Sequence, residues 1–449
     1  MVESKERLRR ELGIFEMISL TAGAVIGGWL AEAPYWFSLT GAGNGLLFIP
    51  IAILLLPVGL AIAELTALYP YAAGPLAFTY KALGGSAAFW THWMFFLVQV
   101  IEPPLMVFIW ASIIKYFYGI EDFNTVKMLT IILLVIWLIL SMYRIGFVGK
   151  LANIVFVTMI ATAIIVGLAF YFSGHWSMDN ITRAGGWFPN GVSGAMLAMA
   201  VLVLKFIGFE FAPVFAEEVK FPRREFWKPV ALSLIIPALL YTFASIAMAG
   251  MAPWDSIAGM DLPEPRIVEM YSLPAILIYI AIVAGFLHAF STMAGFWLSS
   301  ARALYGFAQL GFLPKDLLKT NKYGQPWIAN LIVFGLSLLL VAFTPVEWVA
   351  YVYAISCVAA GILYMVVMVD WWVLRRRDKD KPRDYVAPGG VLSLVIGFLM
   401  SLWIAVGSSL TMPVSGWYAF IIFMIIGVVV WLLGLKRQKE GKWKPEIQI

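Results

Sequence analysis

Twelve stretches of mostly apolar residues take up nearly the whole chain, each long enough to cross ~30 Å of hydrocarbon as a helix. They fall at about 14–38, 44–69, 86–118, 124–143, 148–173, 194–216, 227–253, 274–308, 327–344, 346–374, 389–412 and 414–435. Charged or Gly/Pro-rich connections separate them. Only 13% of residues are charged, against roughly 25% in soluble domains, so there is too little polar surface to cover a water-soluble fold. Lipid is the solvent that fits. Within it the backbone must satisfy its own hydrogen bonds, so the expected fold is an all-α membrane protein of twelve transmembrane helices.

Several function classes drop out. One cysteine (Cys357) and three histidines (His92, His175, His288) give no disulfide framework and no metal-ligand spacing, so neither a metal nor a cofactor is expected. The nearest string to a phosphate-binding loop, ending at Gly149-Lys150, has Arg144 where its first glycine belongs, which removes an ATP-driven motor. A membrane enzyme would need a catalytic cluster that is not visible, and a channel would need a repeated pore loop or a ring of like charges.

Orientation follows from the basic residues, because positively charged loops stay in the cytoplasm. Twenty-five of the 31 Lys and Arg residues lie in segments on the N-terminal side, and four (Lys115, Lys127, Arg183, Arg266) lie opposite. Lys205 and Arg302 fall inside spans. Both termini are therefore expected in the cytoplasm of a multi-pass plasma-membrane protein: residues 1–13 as a retained tail, not a signal peptide, and 436–449 as the other tail. The net charge of +5 is a topology signal spread over seven segments, not a nucleic-acid face. Residues 377–388 divide the first ten spans from two accessory ones at 389–435.

Interruptions carry the functional information. The first span contains Gly23-Ala24-Val25-Ile26-Gly27-Gly28, and the sixth contains Phe206-Ile207-Gly208-Phe209-Glu210. Unwound backbone at membrane depth persists only where it lines a protein cavity, and paired interruptions in matching halves mark a transporter's midplane site. Gly23 to Gly27 also fits a helix-contact pattern, but Glu210 would cost roughly 2.5 to 3.5 kcal/mol facing lipid at a helix centre.

These residues resemble the amino acid, polyamine and organocation transporter superfamily. FIGFEFAPVFAEEVKFPRR, from Phe206 to Arg224, is similar to the family's sixth-span pattern and is the most specific match. The glycine-rich first span, Ala63-Glu64-Leu65 before Pro70 and Gly74, and Ser300-Ala301-Arg302 through Tyr305, Gly311, Pro314 and Pro326 add three more. The resemblance covers about residues 10–435. It implies a five-plus-five inverted repeat, about 14–173 and 194–376, and alternating-access transport of amino acids or related amines. Two departures stand out. The first-span glycine pattern is one residue shorter than usual, and the span 5 position that often holds a coupling lysine is near Met159.

An amino acid is a zwitterion, so its site needs donors for a carboxylate and acceptors for an ammonium away from water; broken helices offer both. The carboxylate is expected on the backbone around Gly27 and Gly28. The ammonium is expected on carbonyls near Thr21, Ala22 and Gly23, with Ile26 beside them, and near Phe206 to Gly208. Trp29, Phe206, Phe209 and Phe296 are expected as walls or gates. Lys205 and Glu102, ionisable residues inside spans, read as a structural ion pair, a proton-coupling pair or side-chain recognition. Glu102 precedes Pro103-Pro104, which should disturb its helix. By resemblance, Glu102 and Trp29-Leu30 lean towards an acidic amino acid, and Glu64 towards an inner gate. Ser299 and Ser300 could hold sodium instead, facing carbonyls of the first break. The expected partners are thus an amino acid, a proton or sodium, and the bilayer, with oligomeric state left open.

Overall fold

The computed structural model describes residues 8–120, 122–344, 348–442 and 444–445. The tail residues 1–7 and 446–449 and the start of the tenth expected span, 346–347, lie outside the described residues. Among those described, the architecture is helical throughout, with one isolated parallel bridge, Leu12 to Val219.

The first expected span forms as two pieces. Helix α1 (Ile14–Val25) ends at Ile26, and α2 (Trp29–Thr40) begins after Gly28, whose φ of 70° is a left-handed conformation suited to glycine. A single 3₁₀ turn, Gly41–Gly43, then leads into α3 (Asn44–Leu68). Helices α4 (Pro75–Leu83), α5 (Gly85–Tyr118), α6 (Phe123–Ser141) and α7 (Ile145–Tyr171) complete the first half. Contrary to expectation, α5 runs unbroken through Pro103 and Pro104. Proline removes a backbone donor and crowds the preceding turn, but close packing holds this stretch helical: residues 91–111 of α5 are buried without exception.

The second half opens with short α8 (Met178–Thr182) and then α9 (Gly191–Leu202). Beyond α9 the sixth span changes character. A 3₁₀ turn, Val203–Phe206, meets Ile207 and Gly208, and a second 3₁₀ stretch, Phe209–Phe215, follows. Gly208 sits at φ 137°, which a side-chain-bearing residue rarely adopts, and Pro213 lacks an N–H. The remainder comprises α10 (Trp227–Met251), short α11 (Trp254–Ala258) and α12 (Pro263–Met270), α13 (Ile276–Gln309), α14 (Trp327–Phe343), α15 (Trp348–Arg377), α16 (Gly390–Thr411) and α17 (Val414–Lys439).

Among the described residues, ten helical segments are long and apolar enough to cross a membrane, and α1 and α14 are shorter apolar helices. Helices α17, α6 and α16 have the most open faces, with Ile422, Ile425, Met128, Ile132, Leu392 and Leu410 exposed, as expected of surface in contact with lipid. The centre is closed around α1, which packs against α7, α10 and α13.

One end of this centre is tied by a buried ion pair. Arg302 on α13 binds both carboxylate oxygens of Glu218, Nη2 to Oε1 at 2.7 Å, and also reaches the Leu298 carbonyl and the Gln325 amide oxygen. The Glu218 carbonyl in turn accepts the amides of Glu11 and Leu12, each at 2.9 Å, so the segment entering α1 is tied to the segment leaving the sixth span. Removing one partner of a buried pair strands a charge and typically costs about 3–5 kcal/mol. Arg302→Met should therefore lower thermal stability strongly, while Arg302→Met/Glu218→Gln should recover part of the loss, both read from melting of the detergent-purified protein.

Candidate functional site

The two interruptions meet. A Cβ on Gly208 would come within 2.7 Å of the Val25 side chain and 3.4 Å of the Thr21 carbonyl, so the glycine lets the sixth span lie directly on the end of α1. Glycine is required here for space as well as for φ.

Side chains take up the broken backbone. Tyr241 of α10 donates its hydroxyl to the Val25 carbonyl at 2.6 Å and accepts the Gly27 amide at 3.0 Å. Lys205 donates to the Gly27 carbonyl at 2.8 Å and to the carboxylate of Glu32. Glu32 also accepts the Tyr353 hydroxyl at 2.8 Å, and Tyr353 accepts the Trp36 indole N–H. Thus α10 and the sixth span bind the backbone of Val25 and Gly27 directly, and α2 and α15 reach it through Glu32 and Lys205. At the second break, Glu210 turns back to accept the Gly208 amide at 2.9 Å and the Tyr364 hydroxyl at 3.1 Å, with Gln99 at 3.5 Å on its other oxygen. A carboxylate receiving backbone and hydroxyl donors is how a buried acid is made tolerable.

The expected residues are largely gathered at this junction. Thr21, Ala22, Gly23, Ile26, Gly27, Gly28, Trp29, Lys205, Phe206, Gly208, Phe209 and Glu210 are all buried along the two breaks. Ala22 accepts the Ile26 amide, closing the last turn of α1, while Thr21 bonds back to Met17. Phe209 packs 5.2 Å from Tyr364 and Phe206 lies 6.3 Å from Phe48, whereas Phe296 stands edge-on to Phe211 at 4.8 Å. Glu102 is buried close by, but its contact is Ser356 at 3.3 Å. The ion-pair partner of Lys205 is therefore Glu32, not Glu102.

The hydroxyls opposite the first break also differ from those expected. Ser300 bonds back to the Phe296 carbonyl, and Gly295, one turn before Ser299, already faces Leu20 and Ala24. Helix α13 runs antiparallel to α1, so Ser299 and Ser300 fall beyond the break. Ser291 and Thr292 take the position instead. A Cβ on Gly23 would come within 2.4 Å of the Ser291 hydroxyl, and one on Gly27 within 1.9 Å of that of Thr292. Both hydroxyls, like that of Ser299, are buried without a hydrogen-bond partner among the described residues. Met159, near the span 5 position that often holds a lysine, lies 3.7 Å from the same Gly23 position.

Away from the junction, further polar contacts join distant elements. Glu64 accepts Arg375 at 2.9 Å, Arg383 at 2.7 Å, the Trp371 indole at 2.9 Å and the Ala387 amide at 2.8 Å, locking the end of α3 to α15 and the 377–388 loop. Glu217 belongs to a separate cluster, accepting the Ala72 amide and Gln309. Next to the first break, α12 packs against the start of α2: buried Glu264 accepts the Trp29 indole at 3.3 Å, and Trp29 packs edge-on to His288 at 4.4 Å.

A match to the amino acid permease family spans residues 12–443. The chain belongs to this family. It is 25% identical to a branched-chain amino acid permease of Bacillus subtilis over 97% of this chain and 95% of that protein. A gamma-aminobutyric acid permease of the same organism is 24% identical over 85% and 83% of the two chains, and a D-serine/D-alanine/glycine transporter of Escherichia coli is 24% identical over 88% and 86%. The chain is thus a multi-pass membrane protein of a transporter family.

Glu32, Tyr241, Tyr353, Ser291, Thr292 and Glu264 were not singled out by sequence. Glu32 had a signal: an acidic residue four positions after the glycine pair, in an otherwise apolar stretch. The tyrosines had none, since aromatic residues are spread through every span.

Burial raises the Glu264 carboxyl to about 7, with the Trp29 N–H pulling it partly back. A carboxyl whose folded value lies above its ordinary one favours the packed position of α12 while protonated, so that packing weakens as pH rises from about 4.5 to 7 and levels off above. Hydrogen exchange of α12 should accelerate over that window in the wild type, and Glu264→Gln should flatten the dependence.

Proposed function

We propose that this chain is a secondary active carrier that moves an amino acid across the plasma membrane by alternating access. The observation that carries this reading is the meeting of two broken helices at a closed junction, with Gly208 laid on α1 and the Gly27 carbonyl held by a charge. Such a junction offers carbonyls and helix-start amides together in a dry place, which suits a zwitterion. The substrates in the relatives' names, branched-chain amino acids, gamma-aminobutyric acid, and D-serine, D-alanine and glycine, all carry one amino and one carboxylate group.

In this reading residues 14–376 form the five-plus-five inverted repeat, in halves of about 14–173 and 194–376. The 377–388 loop and accessory spans at 389–435 follow, and residues 1–13 and 436–449 are cytoplasmic tails. The substrate carboxylate sits at Gly27 and Gly28 and its ammonium at the carbonyls of Thr21 to Gly23 and Phe206 to Gly208. Trp29 and α12 close the outer side. Glu64 with Arg375 and Arg383 forms the inner gate, since breaking these bonds frees α3 from α15.

The acidic substrate that Glu102 and Trp29-Leu30 imply meets one opposing observation: Lys205 is already matched by Glu32. A neutral side chain is therefore placed first. Coupling is assigned to protons through Glu102 and Lys205. The sodium alternative rests on the unpartnered hydroxyls of Ser291 and Thr292, which could offer oxygen ligands beside the first break. An enzymatic role has no support from the relatives, which are transporters.

Counterflow in proteoliposomes over the twenty amino acids and common polyamines tests the assignment, because a carrier accelerates tracer uptake into vesicles preloaded with its own substrate. At least one small neutral amino acid should give counterflow; no response from any compound would overturn the proposal. Uptake should persist without sodium and rise with an inward proton gradient, whereas its loss in sodium-free buffer would transfer coupling to the Ser291 and Thr292 hydroxyls. Gly27→Leu, whose side chain collides with Thr292, should abolish thermal stabilisation by the transported amino acid in protein that still folds; unchanged stabilisation would move the site elsewhere.

A further inference from the structure

The first break presents two backbone poles that a substrate would meet: the Gly27 carbonyl and the start of α2. Both are occupied by the chain itself. The Lys205 ammonium donates to the Gly27 carbonyl at 2.8 Å, and three rings surround it, Trp36 and Tyr353 at 5.6 Å and Tyr241 at 6.0 Å. Its partner carboxylate, Glu32, lies over Gly28, so close that a Cβ there would fall 2.1 Å from Oε1. Glu32 stands in the first turn of α2, where unpaired amides and the helix dipole favour negative charge.

An ammonium on the carbonyl that ends one half-helix, with a carboxylate beside the glycine that opens the next, is the charge pattern of a free amino acid. We propose that Lys205 and Glu32 form a tethered zwitterion that stands in for substrate in the empty carrier. The two groups come from different elements, α2 and the 3₁₀ turn Val203–Phe206, so their pairing also draws the two broken segments together. An empty carrier without such a device must bury unsatisfied backbone poles to close, which makes its return depend on carrying substrate back. With it, the empty form closes and resets by itself. The consequence is net transport, not obligatory exchange. Substrate then binds by displacing the pair, its carboxylate taking the place of Glu32 beside Gly28 while its ammonium settles on the carbonyls of Thr21 to Gly23 and Phe206 to Gly208 once Lys205 has withdrawn.

This inference rests on the carrier reading but is separable from it, because closure of the empty form can be measured with no substrate. Cys357, the chain's single cysteine, is buried on α15, where its thiol contacts the Val201 carbonyl beside Ser356 and Glu102. Its alkylation by N-ethylmaleimide in lipid nanodiscs free of amino acids reports opening. Lys205→Met and Glu32→Gln should each speed alkylation by about tenfold or more, whereas Lys205→Arg, which keeps the cation, should stay within about threefold of wild type. Melting curves of the same samples show that the proteins are folded at the assay temperature.

Equal protection of Cys357 in wild type and both neutral variants would overturn the proposal, even if counterflow succeeds. Transport gives the second arm. With the amino acid strongest in counterflow, the ratio of exchange to net uptake into amino-acid-free vesicles should rise about tenfold or more in Lys205→Met and Glu32→Gln. A parallel fall in both rates, leaving the ratio unchanged, would reduce the pair to a structural ion pair.

Discussion

A helix broken inside a membrane leaves backbone groups with neither water nor a preceding turn to satisfy them, and the rest of this structure depends on how Gly27 is served. Its amide goes to Tyr241 and its carbonyl to Lys205, and Tyr241 also reaches back to the Val25 carbonyl. Each partner is itself held: Lys205 by Glu32, Glu32 by Tyr353, and Tyr353 by Trp36. The second break repeats the principle on a smaller scale, with Glu210 returning to the Gly208 amide two residues away. Interior charge, which lipid penalises, is thus concentrated where irregular backbone can use it.

The contacts away from the junction are of two kinds. Glu218 with Arg302 and Glu64 with Arg375 and Arg383 join distant elements through charged bonds, while Trp29 and Glu264 join the start of α2 to a short surface helix through an indole N–H. Burial raises the Glu264 carboxyl to about 7, so its buried position beside Trp29 weakens as pH rises, whereas the Arg302–Glu218 pair and the Glu64 carboxylate are buried and little screened by salt.

Much of this was legible in the sequence. The helix positions followed from apolar runs, to within a few residues for most spans, because in lipid length and hydropathy decide which segments span. Both breaks were legible because Gly208 beside Glu210, and three glycines in one span, are expensive unless used. The pairing of side chains was not. Lys205 was visible as an anomaly, but whether Glu32 or Glu102 meets it depends on the turn taken at Gly28, which no periodicity encodes. Ser291 and Thr292 could not be told from Ser299 and Ser300 without the antiparallel register of α13 on α1. The expected disturbance at Pro103-Pro104 failed because proline's local cost was outweighed by burial along both sides of α5. The sixth span's 3₁₀ continuation is likewise a tertiary outcome, set by Gly208 packing onto Val25.

The claim on which everything else turns is that the backbone around Gly27 is the substrate's place and that Lys205 leaves it on binding. An electron cryomicroscopy structure of the full chain in nanodiscs, with and without a saturating transported amino acid, tests this most directly. The account predicts the amino acid's carboxylate at the Gly27 and Gly28 amides, its ammonium on the adjacent carbonyls, and Lys205 and Glu32 withdrawn from them. An amino acid bound elsewhere, with the Lys205 contacts to Gly27 and Glu32 intact, would contradict it.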